Sequence, residues 1–257
     1  MLTLEELIEN DTFQSNIWIE KIRQFNDLKS FIGNFNYYHL LLAIQGIKAN
    51  NVIDVKHHFF VSAFIDELQI NRFNSRLLDY GFRSISYVLL SDNEALIQRY
   101  AKLRYQRGVN AELSMDEMVA IGEIPIWCNT VQFFMANDNI GVERNLNIIE
   151  TKTLPKIPKK EEGLKDDYEF YKALHTEDKA KMEEVLAKLV SPKIHKKRND
   201  NPILNQYISL PALGYAKLAW RKGIEVEVNS PLVPKDLLPI KPLDNYEIPY
   251  DFLKENI

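Results

Sequence analysis

The sequence predicts an all-α protein, a bundle or irregular stack of helical hairpins with a short extended C-terminal arm. Three observations carry this. Glycine is scarce, 9 in 257 residues, and most of the 11 prolines fall late in the chain, which favours helices over a turn-dense all-β pattern. Apolar residues recur at helical spacing through most of the chain. Three of those stretches are preceded by a Ser or Thr with a Glu three residues on, the pattern in which cap and third residue satisfy each other's backbone donors.

Thr3 with Glu6 opens a short first helix. A second is expected from 15 to about 32, because Ile17, Trp18, Ile22, Phe25, Leu28 and Ile32 line one face while Glu20, Lys21, Arg23, Asp27 and Lys29 take the other. NYYHLLLAIQGIKAN reads as a more buried helix ending near Asn50 and Asn51, and VIDVKHHFFVSAFIDELQI as another. Both are too short and too polar to cross a membrane. An aromatic-rich helix follows over 75–90. Ser91 with Glu94 predicts a second capping box, opening ALIQRYAKLRYQRG, which Gly108 closes as a left-handed residue. Ser114 with Glu117 opens a long apolar stretch to about Ala136, which Pro125 either kinks or divides into two helices, the kink being favoured because the apolar pattern continues past the proline.

TKTLPKIPKKEEG has little to bury, so residues 151–163 are expected to be a surface connection between an N-terminal helical half, 1–150, and a C-terminal half, 164–257, of one compact domain. In the second half 166–174 and 178–190 form paired helices, SPKIHKKRNDNP is a polar loop, and a helix runs from about 205 to 222. Gly223 ends that helix. IEVEV then alternates apolar and charged residues as a single extended segment, which has to lie along helices since one strand makes no sheet. Pro231 and Pro234 restrict the backbone, and PKDLL closes the arm as a short helix. One internal echo stands out. DNEALIQRYAKL and DKAKMEEVLAKL share an aspartate start, apolar residues four and eight positions on, and AKL. Two copies of one helix-turn-helix unit would explain this; so would the general likeness of amphipathic helices, since a separation of 86 residues between Asp92 and Asp178 matches no standard repeat length.

Motifs for chemistry are mostly absent. The five histidines, His39, His57, His58, His175 and His195, lack the helical zinc-protease spacing, and His57 and His58 point about 100° apart on a helix. No phosphate-cradling glycine loop and no nucleophile elbow occurs. The neighbouring carboxylates Asp66–Glu67, Glu161–Glu162, Asp166–Asp167 and Glu183–Glu184 read as solvated faces, because adjacent helix positions do not face one another. The run HKKR at 195–198 reads as a solvated loop, and Cys128 as a buried, inert thiol. No catalytic residue, cofactor site or metal site is assigned. With a net charge of −4 and a pI near 5.8, the chain gives nucleic acid no general attraction. The acidic start carries no basic segment ahead of an apolar run, so a soluble protein of the compartment where it is made is expected, with no membrane partner.

YISLPALGYAKLAWRKGIEVEVNSPLVPKDLL, residues 207–238, resembles the C-terminal signature of the Immunity protein 49 family, all-helical proteins encoded beside toxins in bacterial polymorphic toxin systems. LLDYGFRSISYVLLSDNEALIQRYAKL resembles the family's central helices, and the likeness extends over about residues 12 to 238. The closing YEIPYDFL is similar to the ending of another all-helical immunity family, one that neutralises nuclease toxins. The resemblance implies a cytoplasmic protein that binds and blocks a cognate toxin acting in the cytoplasm, without catalysis, with a basic nuclease as a partner that suits the acidic charge. Candidate contacts are the acidic positions Glu161, Glu162, Asp166, Asp167 and Glu169, with Glu225 and Glu227 on the arm, all expected to be exposed. A helical adaptor with several partners, and an enzyme whose site has no sequence signature, are the alternatives.

Overall fold

Asn and Asp residues divide this chain more often than glycine does. In the computed structural model, which describes residues 2–80, 82–106, 113–199 and 201–254, Thr3 and Glu6 form the expected capping box. The helix they open runs much further than expected, as α1 (Leu4–Phe25). Asn26 then turns left-handed at φ 50° and the Asp27 carboxylate accepts from the Ser30 amide, starting α2 (Leu28–Lys48). The apolar pattern runs across this break because both helices bury a face, so periodicity alone could not locate it. Next come α3 (Val52–Phe73), a 3-10 turn at Leu77–Tyr80, and α4 (Phe82–Ser91).

The second capping box is corrected. Asn93, one residue before α5 (Glu94–Lys102), is the cap, accepting from the Leu96 amide at 2.8 Å, while the Ser91 hydroxyl donates back to the Val88 carbonyl. Gly108 lies outside the described residues. Ser114 and Glu117 do form a capping box, but on a short helix, α6 (Met115–Ile121), which Gly122 ends at φ 83°. α7 (Pro125–Met135) is a separate helix with Pro125 at its start, where its missing N–H has no partner to lose. The expected kink is thus a corner between two helices. α8 (Asn139–Ile148) continues into a π turn, Ile149–Thr153, and 3-10 turns at Leu154–Lys156 and Lys159–Glu161. That connection is held more closely than its composition suggests, since the buried Thr153 hydroxyl donates to the Gly122 carbonyl at 2.8 Å. α9 (Leu164–His175), α10 (Lys179–Leu189), α11 (Pro192–Arg198), α12 (Leu210–Arg221) and the final turn α13 (Asp251–Lys254) complete the order. Among the described residues there is no strand.

The Asn26–Asp27 connection recurs four more times. Between α2 and α3, α4 and α5, α7 and α8, and α9 and α10, a left-handed residue is followed at once by an Asx cap: Asn50–Asn51, Asp92–Asn93, Asn137–Asp138 and Glu177–Asp178. Each cap accepts from the amide three residues on, at 2.8 to 3.3 Å. In three of the four turns the cap's own amide also reaches back five residues, as Asn51 to Gly46, Asp138 to Phe133 and Asp178 to Ala173. Helix end and helix start thereby satisfy each other's orphan groups in a three-residue turn. The caps at 51, 93, 138 and 178 are about 40 to 45 residues apart, in the range of two-helix repeats. The 86-residue echo spans two such intervals. It fails at its first residue, because Asp178 is an exposed cap whereas Asp92 is the left-handed residue before the cap and is fully buried.

α12 is buried from Leu210 through Ala219 and packs on both α4 and α10, joining the second hairpin to the fourth. Gly223 ends it at φ 81°, with the Gly223 amide bonded to the Trp220 carbonyl and the Ile224 amide to that of Ala219. The arm then runs extended, as expected. Val226 and Val228 point into the helices, Glu225 and Glu227 point out, and the Glu227 amide donates to the Glu183 carboxylate on α10 at 2.8 Å. After a 3-10 turn at Lys235–Leu237, residues 239–254 form a strap back to the start of the molecule. Tyr246 stacks near Phe60 of α3, Tyr250 and Phe252 pack on Phe35 of α2, and Leu253 is fully buried.

Candidate functional site

The most concentrated charge in the structure is inside it. Asp92, Lys56 and Lys217 are at most 2% exposed. Lys56 Nζ lies 2.7 Å from the Asp92 carboxylate, Lys217 Nζ 2.8 Å, and Arg221 Nη1 3.5 Å. Lys217 also donates to the carbonyls of Leu237, Leu238 and Pro239 at 2.9 to 3.1 Å, while Lys56 donates to the Lys241 carbonyl at 2.7 Å and the Lys241 amide donates to Asp92. α3, the second hairpin turn, α12 and the strap therefore meet on one carboxylate. Burial pushes the Lys217 ammonium down to about 8 against the pull of Asp92, with repulsion from Lys56 and Arg221 adding to it. Arg221 hands its remaining charge to Glu94 at the surface. Every partner is another group of the chain, so this cluster fastens the arm and strap.

Two of the candidate contacts prove to be fasteners as well. Asp166 and Asp167 are buried, correcting the expectation that they are exposed. Arg198 donates to both oxygens of Asp167 at 2.8 and 2.9 Å and to the Gly163 carbonyl at 2.7 Å; Lys188 pairs with Asp166. The physical reason is that HKKR is not a loop. It lies in α11, which turns Arg198 inward and buries His195 with its Nε2 on the Asn205 carbonyl and its Nδ1 accepting from Asn199, leaving Lys196 and Lys197 exposed. Glu161, Glu162, Glu169, Glu225 and Glu227 are exposed. Glu169 acts on Lys181 of α10, and Glu227 contacts the same helix at Glu183, so α10 lies between these two, while Glu161 and Glu162 sit at the far end of α9.

The fold also pairs residues that the sequence keeps apart. His39 Nδ1 and His58 Nδ1 are 3.0 Å apart, and His39 Nε2 is 2.8 Å from the Tyr250 hydroxyl. Two neutral rings satisfy this chain, one donating and the other accepting; two charged ones would set N–H against N–H. Burial, then the charge of His57, holds His58 down to about 4, and His39 is depressed by burial and by both neighbours. Beside Tyr250 a groove of about 450 Å³ opens between α1 and the strap, lined by Ile19, Ile22, Arg23, Pro249 and Phe252. Cys128 is buried as expected, and burial pushes its thiol up and out of reactive range. Among the described residues no three His, Cys, Asp or Glu side chains are grouped to hold a metal ion, and no helix is long and apolar enough to cross a membrane.

An all-α stack of hairpins whose buried charges are spent on one another belongs to the class of helical proteins that present surfaces. The chain is a member of the Immunity protein 49 family, whose model matches residues 82–237, from the first residue of α4 to the 3-10 turn of the arm. Membership makes it an immunity protein, one that counters a toxin. No curated protein and no solved structure matches the chain. The matched span holds Asp92, Lys217 and Arg221; Lys56 and Lys241, which complete the buried cluster, lie on either side of it.

Proposed function

We propose that this protein neutralises one cognate toxin by one-to-one occlusion in the cytoplasm, with no bond made or broken by its own side chains. The carrying observation is the family match over the hairpins and arm. The inward use of charge supports it, since the groups with perturbed protonation face one another rather than an open cleft. The acidic balance suits a basic partner such as a nuclease, steered by long-range attraction. Glu161, Glu162, Glu169, Glu225 and Glu227 are the proposed contacts, while Asp166 and Asp167 support α9 from within. The test is co-expression with the product of the adjacent open reading frame. Rescue that saturates at equimolar immunity protein, through a complex stable to gel filtration, is expected; rescue by catalytic amounts would refute occlusion. Repeated hairpins also build scaffolds, and a chain that captures several unrelated proteins but rescues no cell from its neighbour would be one of those.

A further inference from the structure

Building on the toxin-binding reading, we infer that the edge formed by the four hairpin turns and the arm docks a basic protein surface, with Ile140 and Ile53 as its apolar anchors. The arm touches three of the four turns and the helix that follows the fourth. At the end of α12, Arg221 pairs with Glu94 in the second turn and Lys222 Nζ donates to Asn137 in the third at 2.7 Å. Pro234 and Asp236 line a crevice with Asn50, Asn51 and Val52 of the first, and Glu227 meets α10 just past the fourth. Loops that are distant in sequence are thereby brought beside one arm.

The second helical residue after each cap projects from this edge. In the first and third turns it is isoleucine, Ile53 at 66% and Ile140 at 81% exposed, the latter the most exposed large apolar side chain among the described residues. In the other two it is alanine, Ala95 and Ala180, also exposed. Capping needs the polar residue before this position and gains nothing from an aliphatic chain left in water. The charge is equally localised. Counting each turn from its left-handed residue to the third helical residue, and the arm from 221 to 238, nine of the 36 acidic side chains fall here and five of the 32 basic ones. One of the nine is Asp92, which is buried against Lys56 and Lys217, so the eight other acidic side chains and the five basic ones give this edge a net charge of −3, against −4 for the whole chain. Several of these acids are helix N-terminal residues that complement the dipoles of α3, α5, α8 and α10. Turns gathered beside one arm bring these capping acids to one side of it. Attraction by these acids followed by seating of two aliphatic anchors is the arrangement of an interface with a polar rim and a few dominant residues.

The probe is the full-length product of the adjacent open reading frame, with binding measured by surface plasmon resonance at low and physiological salt, and every variant checked by its thermal melt. Ile53→Ala with Ile140→Ala is expected to weaken binding at least tenfold, through dissociation. Glu225→Lys with Glu227→Lys is expected to slow association at least tenfold at low salt and to flatten its salt dependence. Glu9→Lys with Glu20→Lys, and Phe13→Ala, all on α1, should stay within about twofold. If the wild type binds and rescues while both edge variants match it, or if Phe13→Ala is the damaging change, the edge is overturned and the toxin-binding reading stands. Failure of the wild-type chain to bind or rescue brings both down.

Discussion

Asp92 is the residue on which most of the chain's long-range order converges. It is left-handed at φ 55° and holds two buried ammonium groups. Asparagine adopts that backbone at least as readily, so Asp92→Asn isolates the charge. Removing one member of a buried ion pair strands its partners, and a loss of about 3 to 5 kcal/mol in urea unfolding is expected; a loss below about 1 kcal/mol would mean that the lysines find other acceptors. The sequence showed Asp92 as the aspartate that opens the internal echo and not as a buried charge, because its partners at 56, 217 and 241 are beyond any local pattern. The pairing of His58 with His39 was not legible, since 19 residues separate them. Both rings titrate below the ordinary histidine value of about 6.5. The unfolded chain therefore takes up protons first as pH falls, and the stability that His58 contributes is whole above pH 6.5 and lost between there and about 4. Over that window His58→Gln should lose about 1 to 3 kcal/mol less stability than the wild type. Parallel curves would exclude the assignment.

Among the elements, the turns are where sequence reading succeeded and failed for the same reason. Gly223 was recognisable as a helix end because glycine has one obvious use there. The ends near Asn50, Asn137 and Glu177 were placed by the apolar pattern, but not their left-handed residues, since side chains in that region are uncommon and their identities vary. Two glycines of nearly equal φ, 83° at Gly122 and 81° at Gly223, separate backbone strain from crowding. A β-carbon at Gly122 would lie 2.9 Å from the Thr153 hydroxyl oxygen and 3.0 Å from Lys152 Cβ, whereas at Gly223 it would meet nothing within 4 Å. Both Ala variants incur the left-handed penalty of about 1 to 2 kcal/mol, and Gly122→Ala should cost at least about 1 kcal/mol more because the connection after α8 has to shift. Equal losses in chemical denaturation would show that the connection yields freely. The corner at Pro125 teaches a related lesson, because a proline at the start of one helix and a proline inside a longer one leave the same apolar pattern.

At the scale of the whole molecule, helicity and the extended arm were readable from composition, spacing and one glycine. The strap was not. Its residues, YEIPYDFL, look unstructured by propensity and are ordered by contacts that include Phe35, Phe60, His39 and the Ser91 carbonyl, all distant in sequence. Ending the chain after Pro239 removes Tyr250 and Leu253 from the core and the Lys241 groups from Asp92 and Lys56. Such a variant is expected to lose more than about 4 kcal/mol or to stay unfolded, judged by its melt and by trypsin sensitivity of α2 and α3; a cooperative melt close to that of the full chain would show the strap to be ornamental. The buried carboxylate also sets an order of events during synthesis. Lys56 leaves the ribosome long before residues 217 and 241 exist to complete its surroundings, so the first hairpin waits as an unfinished half-lock until nearly all the rest has been translated. A copy stopped before residue 241 is therefore expected to be cleared by proteases rather than to serve as a smaller antidote.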